Sequence, residues 1–565
     1  MIKKSTVIKG RSPIIPVKNP GQTVWAACTV LIRPSPVKFI HARALSEIYV
    51  GVIMLNHQWG AEINTDRQAH LNGIQMYSTP GLTPTDAVPA PPGAVSGAEL
   101  DLRTVERLRR SEHERTLARL SALGIVRQSE QSIAWVGDLQ QGDGGKGAMT
   151  DRLARNHQLI VRVQGGDNAG HTTVFTGPNG ADVVIKNHLI PSGLRHGRGL
   201  GVLGNGVLIN AERFAHELAE ISAFVPDIQD RVVVSGRAHL VLPLHRLADE
   251  RDEDRRNGES RAIGTTRRGI GPANITKIGR IGLRVKDLAD PVLIRQRISD
   301  AVAWFGLPEA EIELNIEWIN QYSELLLGCT TDTVRLINAA VDEGYSVLFE
   351  GAQGPMIDPE HGIYPFVTTS PTAIYSVSSG GGLDASRIGH RIGVLKVYQT
   401  MVGNGAFPSE DKGDVGRLLR ELGKEFGTTT GRQRRCGWLD LVHARWAARL
   451  NRYTSVVLTK LDVFDHLDRI GVCVAYDRRG EAHVDFVAEQ DFLSDCQPVI
   501  HYLGGWQTST QDIATYDELP EQAKVFIEFI GRYLGVKIGG VTKGPRDSDM
   551  LVTEDSALRR LAGHP

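Results

Sequence analysis

The sequence is poor in cysteine, has no long apolar run and carries no excess of either charge, and each deficit removes a class of protein. Its 565 residues hold five cysteines, Cys28, Cys329, Cys436, Cys473 and Cys496. They lie far apart, are odd in number and contain no C-x-x-C pair, so neither a disulfide framework nor a structural zinc site is expected. A cytoplasmic, reducing location is the simple reading. No apolar stretch approaches the ~18 residues that a membrane span needs. The basic start Met1, Ile2, Lys3, Lys4 is followed by Pro13, Pro16 and Pro20 instead of an apolar segment, so no signal peptide is read. Lys and Arg number 64 against 65 Asp and Glu, a net charge of -1. No global field therefore draws the chain to nucleic acid or to a membrane surface. Glycine is abundant, with 61 residues. Much of it falls in short runs, which suits a backbone that must come close to a ligand.

The length is enough for several units of ~150 residues. Residues 1 to about 75 contain short β-like pieces at 24–32 and 48–55. Residues 79–98 carry Pro80, Pro84, Pro89, Pro91 and Pro92, the composition of a linker. Residues 100–123 read as a surface helix with two contact zones. Leu102, Val105 and Leu108 form one, and Leu117, Leu120 and Leu123 the other. The mixed signs of Arg109, Arg110, Glu112, Glu114 and Arg115 between them mark a solvated face better than a nucleic-acid helix. From 131 onward, short apolar strands alternate with helical stretches, at 133–136, 159–163, 232–234, 347–349, 392–397 and 456–459. That alternation predicts an α/β fold with a large, mostly parallel central sheet flanked by helices. The division expected is an N-terminal extension of mixed α/β character at 1–78, a linker and helix at 79–130, and a catalytic domain at 131–565.

Four motifs stand at strand ends, where ligands of such sheets sit. The first is the loop Gly142, Asp143, Gly144, Gly145, Lys146, Gly147, leading into a helix expected over 149–154. Its glycines let backbone N–H groups converge on phosphate, the helix N-terminus adds its dipole, and Lys146 adds a charge. It is not a Walker A loop, because Gln140 and Gly147 stand where Gly and Ser or Thr are required. The second, 164–172 (QGGDNAGHT), again puts small residues and polar donors at a strand's end, and His171 directly after Asn168, Ala169 and Gly170 reads as a donor to a substrate or phosphate oxygen ahead of a structural histidine. The third, 459–462 (TKLD), offers the Asp462 carboxylate to the N1–H and 2-amino donors of guanine while the Lys460 stem covers the ring. The fourth, 427–435 (GTTTGRQRR), joins hydroxyls to guanidinium groups that bond carboxylate or phosphate bidentately.

Together the motifs resemble the adenylosuccinate synthetase family, in the expected order over residues 131–556. Further matching blocks are 187–193 (NHLIPSG), 203–207 (LGNGV), 263–272 (IGTTRRGIGP), 349–354 (FEGAQG), 361–368 (HGIYPFVT), 402–408 (VGNGAFP) and 436–440 (CGWLD). The resemblance implies a P-loop-related ligase of purine biosynthesis. It would join L-aspartate to the 6-position of IMP, with GTP as phosphate donor and Mg2+, through a 6-phosphorylated purine.

By motif position, Asp143, His171 and Lys146 would be catalytic. Asp143 would take the N1 proton and, with the Gly170 carbonyl, ligate Mg2+. His171 would stabilise the 6-oxygen. GTP would meet Gly142, Gly144, Gly145, Lys146 and Gly147 of the loop. It would also meet Gly170, His171 and Thr172, and near the base Lys460, Asp462, Thr542 and Gly544. The acceptor nucleotide would meet Asp143, Asn168, Thr266, Gln353, Thr368, Val402 and Arg432. Arg280 would be supplied by the other subunit of a homodimer. Thr429, Thr430, Arg432 and Arg434 would hold aspartate. No nucleic acid and no membrane are implied as partners.

The chain also departs from the family. Its loop reads Gln141, Gly144 and Ala148 where W-G-D-E-G-K-G-K has an aromatic, an acid and a second lysine. The family's G-R becomes Arg267-Arg268, and S-T-G-P-D-R becomes 542–547 (TKGPRD). Ile281 and Pro371 replace an arginine and an asparagine. These changes leave two alternatives open. One is a substrate-shifted relative acting on another purine monophosphate such as dGMP, a 2-aminoadenylosuccinate synthase. The other is a non-catalytic nucleotide sensor.

Overall fold

The structure, a computed structural model, describes residues 18–19, 22–23, 102–177, 180–426, 433–553 and 557–562. The chain divides into two units, Met1–Ser96 and Gly97–Pro565. In the first, the described part is one antiparallel pair, Lys18–Asn19 with Gln22–Thr23. The β-like pieces expected at 24–32 and 48–55, and the proline-rich stretch, lie outside the described residues.

The second unit is built on a ten-stranded sheet. In chain order its strands are β1 (Ile133–Asp138), β2 (Leu159–Arg162), β3 (Leu200–Leu203), β4 (Val232–Ser235) and β5 (Thr330–Thr331). They continue as β6 (Val347–Glu350), β7 (His390–Lys396), β8 (Ser455–Thr459), β9 (Ile538–Thr542) and β10 (Met550–Val552). The spatial order is β5-β4-β3-β2-β6-β1-β7-β8-β9-β10. All neighbours run parallel except β9 and β10. The expected mostly parallel sheet is thus present, and the six strands expected from sequence all belong to it.

Covered on both faces, such strands are nearly all apolar, and successive side chains feed opposite cores. Trp135, Val161, Phe349 and Leu458 enter one core. Ala134, Val136, Ile160, Leu348 and Val457 enter the other. Chain order reverses around β1. From there the chain runs outward through β2 to β5, returns to β6 between β2 and β1, and proceeds to β7 and beyond. A crevice at the carboxyl ends of β1 and β6 is the consequence of that reversal.

Helix α1 (Leu102–Ala122) precedes the sheet. Of its two expected contact zones, the second is buried: Leu120 is fully enclosed, and Leu117 and Leu123 pack against the same core. The first differs, since Leu108 is 50% exposed. Polar contacts hold that turn instead: Arg335 meets Glu112, and His113 Nε2 stands 2.8 Å from Glu343 Oε1. Helix α2 (Lys146–Ala154) starts three residues before the expected 149. Gly145, at φ 102°, turns the loop directly into the helix, a conformation an L side chain disfavours.

Candidate active site

The loops after the carboxyl ends of the sheet close around a cleft of about 1140 Å³. Residues 142–147 line it, with Asn168, Gly170, His171, Thr172 and Thr266. So do Gln353, Thr368, Val402, Arg434, Lys460, Asp462, Thr542 and Gly544. Arg280 does not; it is exposed, at φ 65°, beyond the helix Ile270–Ile278. Thr429, Thr430 and Arg432 lie outside the described residues.

The glycine loop is shaped by positive φ angles at Gly142 (116°), Asp143 (59°) and Gly145 (102°). Its anchor is Asp138, the last residue of β1, which the sequence reading missed. Asp138 Oδ2 accepts from Gly144 N at 3.0 Å and from Lys146 Nζ at 2.8 Å. Thr459 Oγ1 donates to Gly144 O at 2.8 Å. A Cβ added to Gly147 would lie 2.7 Å from His171 Cβ, so this glycine lets the helix start approach the histidine.

His171 opens the hairpin His171–Thr176 with Asp182–Asn187. Its Nδ1 stands 2.7 Å from Glu350 Oε1 at the end of β6. Glu350 Oε2 accepts from Ser192 N at 3.1 Å and lies 3.9 Å from Arg162 Nη1. Burial opposes ionisation of Glu350, but the His171 ring and the Arg162 guanidinium outweigh it and hold its pKa low. Burial pushes the His171 pKa down despite Glu350. Against the ionised carboxylate Nδ1 carries the proton and donates, which leaves Nε2 for chemistry. Glu350 belongs to the matched block at 349–354, yet its pairing with His171 spans 179 residues and leaves no local signal.

On the other side of the loop, Arg434 Nη2 reaches Asp143 Oδ2 at 2.8 Å, and its Nη1 reaches Glu425 Oε2 at 2.6 Å. Glu425, fully enclosed, also binds Lys396 Nζ and Lys460 Nζ, each at 3.0 Å, and accepts from Tyr398 OH at 2.5 Å. Burial works against this carboxylate, but three cations and a phenol hold its pKa far below the usual range. The sequence reading missed Glu425 and Lys396. It expected the Lys460 stem over a guanine ring; its ammonium is tied back to Glu425 and the Gly423 carbonyl.

Among the described residues, three side chains of the cleft wall keep buried polar atoms without a bond partner: Asp462, Gln353 and, at its Nε, Arg434. Asp462 Oδ1 is buried and unbonded, and burial raises the pKa of this carboxylate. The amide of Gln353, at φ 56°, has both Oε1 and Nε2 buried and unbonded. Such groups are costly unless a ligand satisfies them.

Several departures from the family pattern are compensated locally. Arg267 stands where the family has glycine, keeps φ at 54°, and pairs with Asp254 at 2.6 Å. Arg546 bonds Asp182 at 2.9 Å, while Asp547 takes Arg152 at 3.2 Å and Arg155 at 2.5 Å. The reversed acid–base pair thus has partners for both charges.

Among the described residues no cluster of three or more His, Cys, Asp or Glu forms a metal cage. Mg2+ takes one or two carboxylates and completes its shell with phosphate and water. The Asp143 side chain, 33% exposed at the cleft, and the Gly170 carbonyl fit that demand.

A sequence model described as adenylosuccinate synthetase matches residues 135–551. Adenylosuccinate synthetase of Wolinella succinogenes is 41% identical over 423 residues, covering 73% of this chain and 98% of that one. The enzyme of Helicobacter hepaticus is 39% identical over 421 residues, covering 73% and 98%. The solved structure of fully ligated adenylosuccinate synthetase from Plasmodium falciparum superposes with a TM-score of 0.71 at 33% identity. It covers 75% of this chain and all of that one.

Proposed function

The chain belongs to the adenylosuccinate synthetase family, and from that premise we infer the roles of its cleft residues. It is a GTP-dependent ligase of purine biosynthesis that joins L-aspartate to the 6-position of IMP to give adenylosuccinate, with Mg2+. The observation that carries the assignment of roles is the convergence of Asp143, Lys146, His171, Arg434 and Asp462 on one cleft.

Asp143 takes the proton from purine N1, so electron density moves to the 6-oxygen. That oxygen attacks the γ-phosphorus of GTP, and the bond to the β-phosphate oxygen breaks, releasing GDP. His171 Nε2, in the ring oriented by Glu350, steadies the 6-oxygen during transfer. The aspartate amine then adds at C6 and inorganic phosphate departs. Phosphorylation converts an oxygen that leaves poorly into one that leaves well. Asp143 and the Gly170 carbonyl would hold Mg2+, which would offset phosphate charge. Lys146 and the loop N–H groups hold the phosphates. Asp462 takes the N1–H and 2-amino donors of guanine, which would satisfy its unbonded oxygen. The segment of Thr429, Thr430 and Arg432 holds aspartate together with Arg434.

Arg280, exposed and away from the cleft, suits donation to a second copy, which supports a homodimer. Among the described residues Cys329, Cys436, Cys473 and Cys496 are free thiols, and no helix is long and apolar enough to cross a membrane. Free thiols accord with a cytoplasmic setting. We propose residues 1–78 as a separable extension; the split at Ser96 falls within the 79–130 segment, and the helix Leu102–Ala122 belongs to the same unit as the cleft.

The test is an assay with IMP, aspartate, GTP and Mg2+, with products identified by mass spectrometry. Folded protein that gives no aspartate-dependent product would sink the reading. A dGMP competitor in the same mixture discriminates the substrate-shifted alternative. Gly144 gives that alternative no extra room, because the volume beside it is filled by Asp138.

A further inference from the structure

The glycine loop lacks the family's acid at position 144, yet a carboxylate stands at that spot. A Cβ built on Gly144 would lie 2.6 Å from Asp138 Oδ2 and 3.0 Å from Val394 Cγ2. The space a side chain at 144 would enter is thus taken by Asp138. That carboxylate is fully enclosed, and the Lys146 side chain it bonds is 3% exposed. It binds the loop at three points: Gly144 N at 3.0 Å and Lys146 Nζ at 2.8 Å on Oδ2, and Gln140 N at 2.8 Å on Oδ1. Its own position is set by the sheet. Tyr453 OH donates to Asp138 O at 2.8 Å, and the Tyr453 ring stacks on Trp135 at 5.5 Å.

We infer that Asp138 supplies, from strand β1, the carboxylate that the family's loop carries at 144, and that it is a positioning residue for GTP binding. An ammonium has three donors. Asp138 takes one at 2.8 Å, which restricts the directions left to the other two on a residue that lines the cleft. It also holds the Gly144 N–H and so fixes the curvature of the loop. Acids at 138 and 144 exclude each other, because two carboxylates at this separation in a buried site cannot both stay ionised. The exchange is therefore paired: an acid at 144 works only when 138 is small. This role rests on the family reading for what Lys146 binds.

The test compares the full-length protein with Asp138→Asn, Gly144→Glu and the double exchange Asp138→Gly with Gly144→Glu. Thermal melting establishes that each is folded. Affinity for a non-hydrolysable GTP analogue with Mg2+ is measured at equilibrium, alongside kcat and KM for GTP and for aspartate. The expected result for Asp138→Asn is a roughly tenfold or greater loss of analogue affinity and of kcat/KM for GTP, with KM for aspartate within about twofold. Gly144→Glu alone loses at least as much. The double exchange binds the analogue better than either single variant, a coupling that a merely structural aspartate would not give. Wild-type affinity in Asp138→Asn, or a double exchange no better than the better single variant, overturns the inference. A wild-type protein without ligase activity would instead count against the family activity, while the binding comparison still decides the role of Asp138.

Discussion

Arg434 spans from Glu425 to Asp143, with its Nη2 2.8 Å from the Asp143 carboxylate. One guanidinium therefore links the arm proposed for aspartate to the residue proposed to activate the purine. Glu425 holds the far side of that guanidinium at 2.6 Å, so its reach toward Asp143 is set by a buried anion.

Replacing that anion should be costly. Glu425→Gln keeps the shape but leaves Lys396 and Arg434 buried beside a neutral amide. Unfolding in denaturant is expected to show a loss of ~3–5 kcal/mol. Adding Lys396→Met should recover part of it, because the stranded charge is then gone. A Glu425→Gln protein as stable as wild type would mean that the cluster does not anchor Arg434.

Asp462→Asn should alter the choice of phosphate donor. An amide offers one donor and one acceptor, which matches the N1–H and 2-oxo edge of xanthine better than that of guanine. The ratio of kcat/KM for GTP to that for XTP is expected to fall by ~10²-fold or more. An unchanged ratio removes Asp462 from base recognition.

His171→Asn should separate binding from chemistry. The expected loss is ~10²–10⁴ in kcat, with KM for GTP little changed. Gly147→Ala, whose new methyl would meet His171 Cβ at 2.7 Å, should lower kcat in the same direction by displacing the ring. Equal losses in GTP affinity and kcat for His171→Asn would make the residue a binding group only.

Asp440 gives a pH-dependent prediction away from the chemistry. It caps helix α3 (Leu441–Asn451), accepting from His443 N at 3.0 Å and from Tyr476 OH at 2.6 Å. Burial raises its pKa from 3.8 to about 6. A raised folded pKa means stability that is complete below the unfolded value and is lost as pH climbs through about 6. Asp440→Asn, which keeps the cap, should therefore be more stable than wild type at pH 7, by up to ~3 kcal/mol, and show no such gain near pH 4. Parallel melting curves at the two pH values check the sign.

What the sequence revealed, and what it hid, follows from the range of the interactions. Strands covered on both faces announce themselves as apolar runs; Asp143 and His171 sit in glycine-rich blocks after such strands, and Asp462 in the short T-K-L-D turn after another. Asp138 was hidden because an acid ending a strand has no pattern of its own; its partner Lys146 is eight residues away across a turn. Glu425 and Lys396 meet across 29 residues, and His171 and Glu350 across 179. No spacing rule connects such pairs. The C-G-W-L-D block was legible as a family mark, while its acid proves to cap a helix.

Helix α1 has a last consequence. The family match begins at residue 135, yet Leu120 is fully buried in the core that Trp135 enters, and Arg119 bonds the Asp230 carbonyl at 2.8 Å. Cutting the chain near Gln128 would remove Leu120 and strip a wall from that core, losing the burial of a leucine, worth ~1.5–3 kcal/mol. The ancestry of this enzyme and its thermodynamic boundary therefore begin at different residues. A minimal active chain has to keep a helix that the family match leaves out.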